Sequence, residues 1–439
     1  MFPKNVILIF VSCFGFLNAQ IRVVNYYDTL KIQKLEEFYK IAQTDSMPTG
    51  VYKKFYRTGS VMLQGTYENF MKQGMFEEYY PNGNIKARYN FDKNFRNGLY
   101  EVFYPSGKIL QKTVLVNDII KDSVWNYYEN GQIQSRAFMV NDKIEGVLQE
   151  YYSSGALKKR AMYKNNQPDS LTVTFYENGN KKTEENYKKG VLNGFFKTFY
   201  PSGVLETESY NLKGSKTGNF KNFNPNGQLV LEGSYVNGIS HGKTTAYYDS
   251  GIIKYIFNFN NGIKEGNQKF FYENKELKEE IEYSNFAKNH QHTLYFENGK
   301  VKAKQNYLDS KKSGEWKSYF PNKELQYVEN YENDKLFGER KIYNEKGKLI
   351  GKENYNAAGK KNGLCYEYYD NGNIKWEGNY VADVLVGTCK SFYDNEVMES
   401  NCTYTAGKKN GRCLYFAQDG KKIKEEIYKQ GVLKSSKVF

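Results

Sequence analysis

An aromatic residue at one fixed interval constrains this chain more than any other feature of its sequence. It falls at Phe55, Tyr79, Phe103, Tyr127, Tyr151, Phe175, Phe199, Phe223, Tyr247, Phe271, Tyr295, Tyr319 and Tyr343, in steps of 24 residues. A single step of 25 leads to Tyr368, and 24-residue steps then reach Phe392 and Phe416. In most units a second aromatic residue follows, and in thirteen a turn glycine comes shortly after. Self-similarity at a fixed short period is the mark of a repeat array, in which one supersecondary unit is stacked on copies of itself. Sixteen such units leave almost no room for an ordinary globular domain.

Composition agrees with a thin, stacked structure. Only 39% of the 439 residues are hydrophobic, and 41 Tyr and 29 Phe supply much of that fraction. Such a chain builds contacts between neighbouring units rather than one large aliphatic core. The net charge is +14, with Lys far outnumbering Arg. Lys on strand faces solvates a sheet and blunts its edges, whereas Arg is the residue suited to bidentate phosphate recognition. No compact basic cluster is present, so nucleic acid is not an expected partner. At the N-terminus, Lys4, the apolar run Val6–Leu17 and the small residue Ala19 read as a secretory signal cleaved after Ala19. Lipoprotein processing at Cys13 is the less favoured alternative. The run is too short for a comfortable membrane span, and no other stretch approaches one, so no transmembrane segment is expected in the mature chain. An exported location follows, whether periplasm, cell surface or extracellular space.

Within a unit, Asn97-Gly98 and Gly107 bracket a short β-favouring run. The second glycine recurs as Gly59, Gly83, Gly107, Gly131, Gly155, Gly179, Gly203, Gly227, Gly251, Gly299, Gly347, Gly372 and Gly420, and is replaced by Lys275, Lys323 and Glu396. Sequences such as Tyr80-Pro81-Asn82-Gly83 predict a type I turn with the glycine left-handed, closing a three-residue hairpin loop with a bulge. An aliphatic column (Ile85, Ile109, Leu157) follows two residues later, and a mostly aromatic one (Tyr67, Phe91, Tyr163) six beyond that. Even offsets place both columns on the face of the first aromatic. The second aromatic then points to the other face, which makes Tyr80, Tyr104, Tyr128, Tyr152, Tyr176, Tyr200, Tyr248 and Tyr272 the candidate binding surface. The expected fold is all-β: about sixteen β-hairpins forming an elongated, twisted antiparallel meander over residues 49–430. Residues 1–19 are the signal, 20–48 a capping segment and 431–439 a tail.

The pattern Asn-Gly, strand, Tyr-Tyr-x-Asn-Gly, then Ile and a later Tyr resembles the MORN repeat, in the variant common in bacterial exported proteins and in proteins labelled as antitoxins. Asn97-Gly98, Asn193-Gly194, Asn362-Gly363 and Asn410-Gly411 are its clearest first elements, while Asp122, Ser170 and His290 replace the first glycine. The resemblance implies a scaffold or partner-binding platform, in some members a membrane-lipid binder, with no catalytic residue belonging to the repeat.

Little else in the chain suggests chemistry. The three histidines are His241, within an Asn-Gly-like element, and His290 and His292, which lack a third ligand nearby. Carboxylates such as Glu279, Glu280, Glu282, Glu425 and Glu426 read as solvated strand faces. No nucleophile elbow, phosphate loop or Cys/His constellation occurs, so no enzymatic activity, metal or cofactor is expected. Cys365, Cys389 and Cys413 occupy one equivalent position in three successive units, and Cys402 lies between two of them. Equivalent strands lie too far apart for a disulfide, which leaves Cys402 with Cys389 or Cys402 with Cys413 as the pairs open in an oxidising compartment. A two-residue turn in the unit that lacks Pro-Asn-Gly favours the first pair; Tyr404 opposite Gly411 favours the second. The expected function is an exported, non-catalytic scaffold for a protein partner or for self-association. The alternatives are a cell-envelope glycan or anionic-lipid binder using Tyr and Lys, and an antitoxin-like neutralising partner.

Overall fold

The computed structural model describes residues 20–41 and 47–439. The signal segment 1–19, with Cys13, lies outside them. Among the described residues the chain forms forty strands and no helix, and the paired strands run antiparallel. Two compact units share the array: one runs to Thr217 and takes in Pro225–Gly227, and the other comprises Gly218–Asn224 and Gln228–Phe439. Each is a β-meander. Strands Gln20–Tyr26 and Lys34–Ile41 pair as a hairpin ahead of the regular repeats. Strand Val432–Val438 pairs with Lys422–Lys429 beyond them.

The turn inside each repeat forms as the sequence predicts. Gly83 N donates to Tyr80 O at 2.9 Å, Tyr80 N donates to Asn84 O at 2.8 Å, and Gly83 sits at φ +89°. All thirteen turn glycines have positive φ, and Lys275, Lys323 and Glu396 follow them at +73°, +85° and +66°. Tyr79 faces Ile85 directly, and the pairing then slips by one residue so that Glu78 faces Ala87. That slip overturns one expectation. The extra residue at Lys86 resets the alternation, so Ile85 stays on the face of Tyr79 while Ala87, Tyr89 and Phe91 go to the opposite face. The Tyr79 hydroxyl accordingly meets Glu77 and Gln64, whereas Phe91 packs edge-on against Phe76 with ring centroids 4.9 Å apart.

The first glycine opens a strand at Gly242, Gly266, Gly314, Gly338 and Gly363, as its reading as a strand boundary has it. At Gly74, Gly98, Gly146 and Gly194 it instead lies inside the strand, in a wide bulge: Ala137 faces Leu148 and Met139 faces Ile144, so Glu145, Gly146 and Val147 oppose Phe138 alone. Gly146 takes φ +89° there, and Ser170 holds the same conformation at +99°. The chain reverses between repeats earlier, at two-residue turns such as Asn117-Asp118 (φ +51°, +66°) and Asn237-Gly238 (+51°, +81°). Positive φ at both positions defines a type I′ turn, whose twist suits a tight hairpin, and Asn, Asp and Gly tolerate it best. Where His290 replaces the glycine the bulge disappears, and the connection lengthens to Asn285–Lys288 between paired Ser284 and Asn289. The 25-residue step is absorbed at Asn356–Lys360, where a three-residue loop stands in for the two-residue turn.

The packed face is built from pairs of large and small residues facing each other across each hairpin. Tyr52 faces Gly65, Leu148 faces Ala161, Phe220 faces Gly233 and Cys365 faces Gly378. Phe76 is 1% exposed in this row, beneath Tyr67, Tyr89 and Phe91. A Cβ on Gly65 would collide with the Phe76 ring, and one on Gly233 would stand 2.8 Å from Phe220. A single sheet thus buries side chains such as Phe76 and Leu148 on one face by matching volumes strand to strand.

Candidate binding surface

The eight tyrosines marked by the sequence all sit half-buried at the ends of the hairpins. The hydroxyl of Tyr80 donates to the carbonyl of Phe103 at 2.8 Å, linking one repeat to the next. Tyr104, Tyr128, Tyr152, Tyr176, Tyr248 and Tyr272 make the same bond to the first aromatic 23 residues on, at 2.8–2.9 Å. Tyr200 occupies the equivalent place. Lys158, Lys182, Lys254 and Lys278 lie over the rings of Tyr152, Tyr176, Tyr248 and Tyr272 at 5.4–5.8 Å. These side chains therefore carry a structural task, with the hydroxyl satisfied by backbone and several ring faces covered by ammonium groups. Asn carboxamides add a second link: Asn82 Nδ2 donates to Pro105 O at 3.0 Å, and Asn178 to Pro201 O at 2.8 Å.

Lysine and glutamate, read as a solvated face, are matched across strands. Arg88 bridges Glu77 at 3.0 Å and Glu101 at 4.0 Å; Lys390 meets Glu377 at 2.8 Å, and Lys269 meets Glu280 at 3.4 Å. Burial pushes the Glu77 carboxyl up, but hydrogen bonds from Tyr79, Gln64 and Arg88 outweigh it and hold the group below its ordinary value. Much of the positive charge is thus spent within the sheet.

The histidines enter the packed face. His290 stacks on Tyr307 with centroids 4.2 Å apart, and His292 Nε2 stands 2.8 Å from Glu279. Burial, and the neighbouring His292, pull the His290 imidazole down. Among the described residues no three His, Cys, Asp or Glu side chains gather around a common point suited to an ion. The cysteines resolve into a Cys402–Cys413 disulfide, with Cys365 and Cys389 as buried thiols. Both pairs considered from sequence are opposite in register, because the wide bulge and the one-residue slip reset the alternation on either side of Cys402.

A surface that the sequence reading passed over lies on the face opposite the packed rows. The residue directly after the first glycine points away from the Phe76 row. In five repeats of the first unit it is apolar and exposed: Val51, Met75 (52% exposed), Leu99, Leu171 and Phe195 (53%), with Ser123 and half-buried Val147 at the other two. Their cross-strand partners extend it, with Val114 facing Leu99 and Tyr210 stacked edge-on to Phe195 at 5.4 Å. Phe138 and Met162 continue it through the intervening strands. At the same positions the second unit carries Asn219, Lys243, Asn267, Gln291, Glu315, Glu339, Thr388 and Arg412, with one exposed apolar residue, Leu364. The signal was present in the dipeptides Gly74-Met75 and Gly194-Phe195 set against Gly242-Lys243 and Gly338-Glu339. It could be recognised only once the glycine was known to sit in a bulge within the strand.

A search of the curated proteins returns no significant match. Solved structures with a similar course include a crystal structure of TcdB2–TccC3–TEV, at 10% identity and a TM-score of 0.16, covering 94% of this chain and 27% of that one. A crystal structure of TcdB2–TccC3 gives 12% identity, a TM-score of 0.15 and coverages of 93% and 28%. A structure of the Photorhabdus luminescens Tc holotoxin pore gives 13% identity, a TM-score of 0.14 and coverages of 94% and 27%. The chain thus spans under a third of those proteins, and at these scores the likeness carries no argument. The family model described as "MORN repeat variant" matches residues 48–69, 72–93, 96–117, 126–141, 144–165, 169–189, 216–237, 240–261, 264–285, 291–309, 312–333, 338–357 and 361–382. Together these segments cover more than half of the sequence, and the chain belongs to the MORN repeat variant family.

Proposed function

We propose that this chain is a non-catalytic repeat scaffold that holds a protein partner on the exposed apolar row of its first unit. The observation that supports this reading is the contrast between the two halves. Val51, Met75, Leu99, Leu171 and Phe195 stand exposed at these positions in the first unit, with Ser123 between them, whereas the second unit has Asn, Lys, Gln, Glu, Thr and Arg there and Leu364 as its single exposed apolar residue in the row. A fold that needed apolar residues there would need them in every repeat. A contiguous exposed apolar stripe on a water-soluble face is the usual signature of a recognition surface. The row's aromatic and Met content suits a protein interface, where such side chains are enriched at the buried centre.

The triple variant Leu99→Asn, Leu171→Asn, Phe195→Asn installs the polarity of the second unit. Crosslinking and affinity capture from the source cells should recover a defined partner with the native chain. The variant should lose it at least tenfold while its urea midpoint stays within error. Equal recovery by both proteins sinks the reading. Loss of concentration-dependent self-association in light scattering, in place of a second protein, identifies the partner as another copy. Salt-sensitive retention on anionic vesicles or cell-wall material by both chains alike supports the glycan or lipid alternative. Export is part of the proposal, and a mature N-terminus at Gln20 by mass spectrometry is its check.

A further inference from the structure

Three cysteines stand on three successive strands, each facing the next. On Val384–Phe392, Cys389 faces Cys402; on Met398–Thr405, Cys402 also faces Cys413, which belongs to Lys408–Phe416. The Cys402 and Cys413 Cα atoms are 4.1 Å apart and the two sulfurs are bonded. Cys389 is a buried thiol on the other side of Cys402, and all three side chains are at most 4% exposed on the packed face. Cys365 is set apart, because Gly378 occupies the strand between it and Cys389.

We infer that Cys402 is a shared partner and that the disulfide interchanges between Cys402–Cys413 and Cys389–Cys402. Attack on a disulfide sulfur proceeds in line with the bond that breaks, through a three-sulfur arrangement. The strand order places the attacking Cys389 and the leaving Cys413 on opposite sides of Cys402, as that arrangement requires. The Cys389 thiolate forms a bond to Cys402 Sγ, the Cys402–Cys413 bond breaks, and Cys413 departs as a thiolate that takes up the proton Cys389 released. One disulfide and one thiol exist before and after, so no oxidant or reductant is consumed. The crosslink moves from the pair of strands joined by the turn at Ala406-Gly407 to the pair joined by the loop at Glu396. The C-terminal strands of the array thereby gain two covalent states of the same fold.

Peptide mapping of the full chain after denaturation in acidic guanidinium with N-ethylmaleimide, which freezes exchange, tests this. Cys413→Ser, folded with oxidised glutathione, should yield a Cys389–Cys402 peptide pair and at least a tenfold loss of maleimide at Cys389. Cys389→Ser should retain Cys402–Cys413, which shows that folding tolerates loss of one member. In the native chain, individual molecules should carry the label at Cys389 or at Cys413, never at both. A Cys413→Ser chain that keeps its native circular dichroism with Cys389 and Cys402 both labelled overturns the proposal. So does a native chain labelled at Cys389 but never at Cys413.

Discussion

Gly65 and Phe76 illustrate how single residues stabilise this sheet. They belong to rows that meet face to face across adjacent strands, and the ring fills the space a side chain on Gly65 would take. Gly65→Ala should destabilise the array by about 1–3 kcal/mol, the usual cost of overpacking. Elsewhere the same rows pair Leu148 with Ala161 and Val124 with Ala137, so the cost should shrink in the double variant Gly65→Ala/Phe76→Leu. Urea unfolding of both singles and the double should return a coupling of about 1 kcal/mol, and strict additivity would disprove the volume match. The tyrosine bonds between repeats make a separate case. Tyr104→Phe removes the hydroxyl that donates to Tyr127 O and should cost about 1 kcal/mol, with no effect on partner capture. A loss of capture at unchanged stability would return Tyr104 to the binding surface. That these tyrosines serve the array was not legible in the sequence, since alternation along a strand reports the face and not the bonding partner 23 residues away.

At the level of the hairpin, the type I turn is where backbone geometry and residue choice meet most clearly. Gly83 has open space around it and φ +89°, so Gly83→Ala meets no clash and only conformational strain, about 1 kcal/mol. The reverse experiment is more telling: Lys323→Gly and Glu396→Gly relieve residues already held at +85° and +66° and should each raise the urea midpoint by a similar amount. No gain in either would mean that the loops have compensated by other contacts. The period, the hairpins and this turn could all be read from the 24-residue spacing and from Tyr-Pro-Asn-Gly. The faces could not. Period-two alternation holds only between irregularities, and a typical repeat contains two: the slip at Lys86 and the wide bulge at Gly98 and its equivalents. Asn-Gly marks both a type I′ turn, as at Asn237-Gly238, and a bulge, as at Asn97-Gly98, and sequence alone does not separate them. Hence simple alternation places the aliphatic and later aromatic columns on one face, although they lie on opposite faces, and it hides the exposed row that contains Met75.

Across the molecule, carboxylates paired along and between strands contribute to stability, and acid should weaken it in two windows. The Lys424 ammonium, bonded to Glu426, holds that carboxyl at about 2, below its ordinary 4.5. Bonding to Arg22 lowers Glu37, and bonding to Lys352 lowers Glu339. For Glu353, burial acts upward, but Lys361, Tyr355 and Arg340 together bring it below the usual range. A carboxyl lowered in the folded state stabilises the fold above its unfolded value, and that contribution is lost as pH falls through the folded value. The main loss therefore begins near 4.5 and extends toward 2. His290 adds an earlier one: its imidazole is kept neutral by burial, so stability starts to decline as pH drops below its ordinary 6.5. Protonation also leaves the chain's 63 Lys and Arg without counter-charges, which adds repulsion along the array. Urea midpoints between pH 8 and 2.5 should show a shallow decline below 6.5 and a steep one below 4.5. His290→Asn should remove the first and leave the second, because Asn stays neutral at every pH. A midpoint constant from pH 5 to 3 would show that the cross-strand pairs contribute no net stability and that the aromatic and aliphatic packing of the Phe76 row holds the array alone.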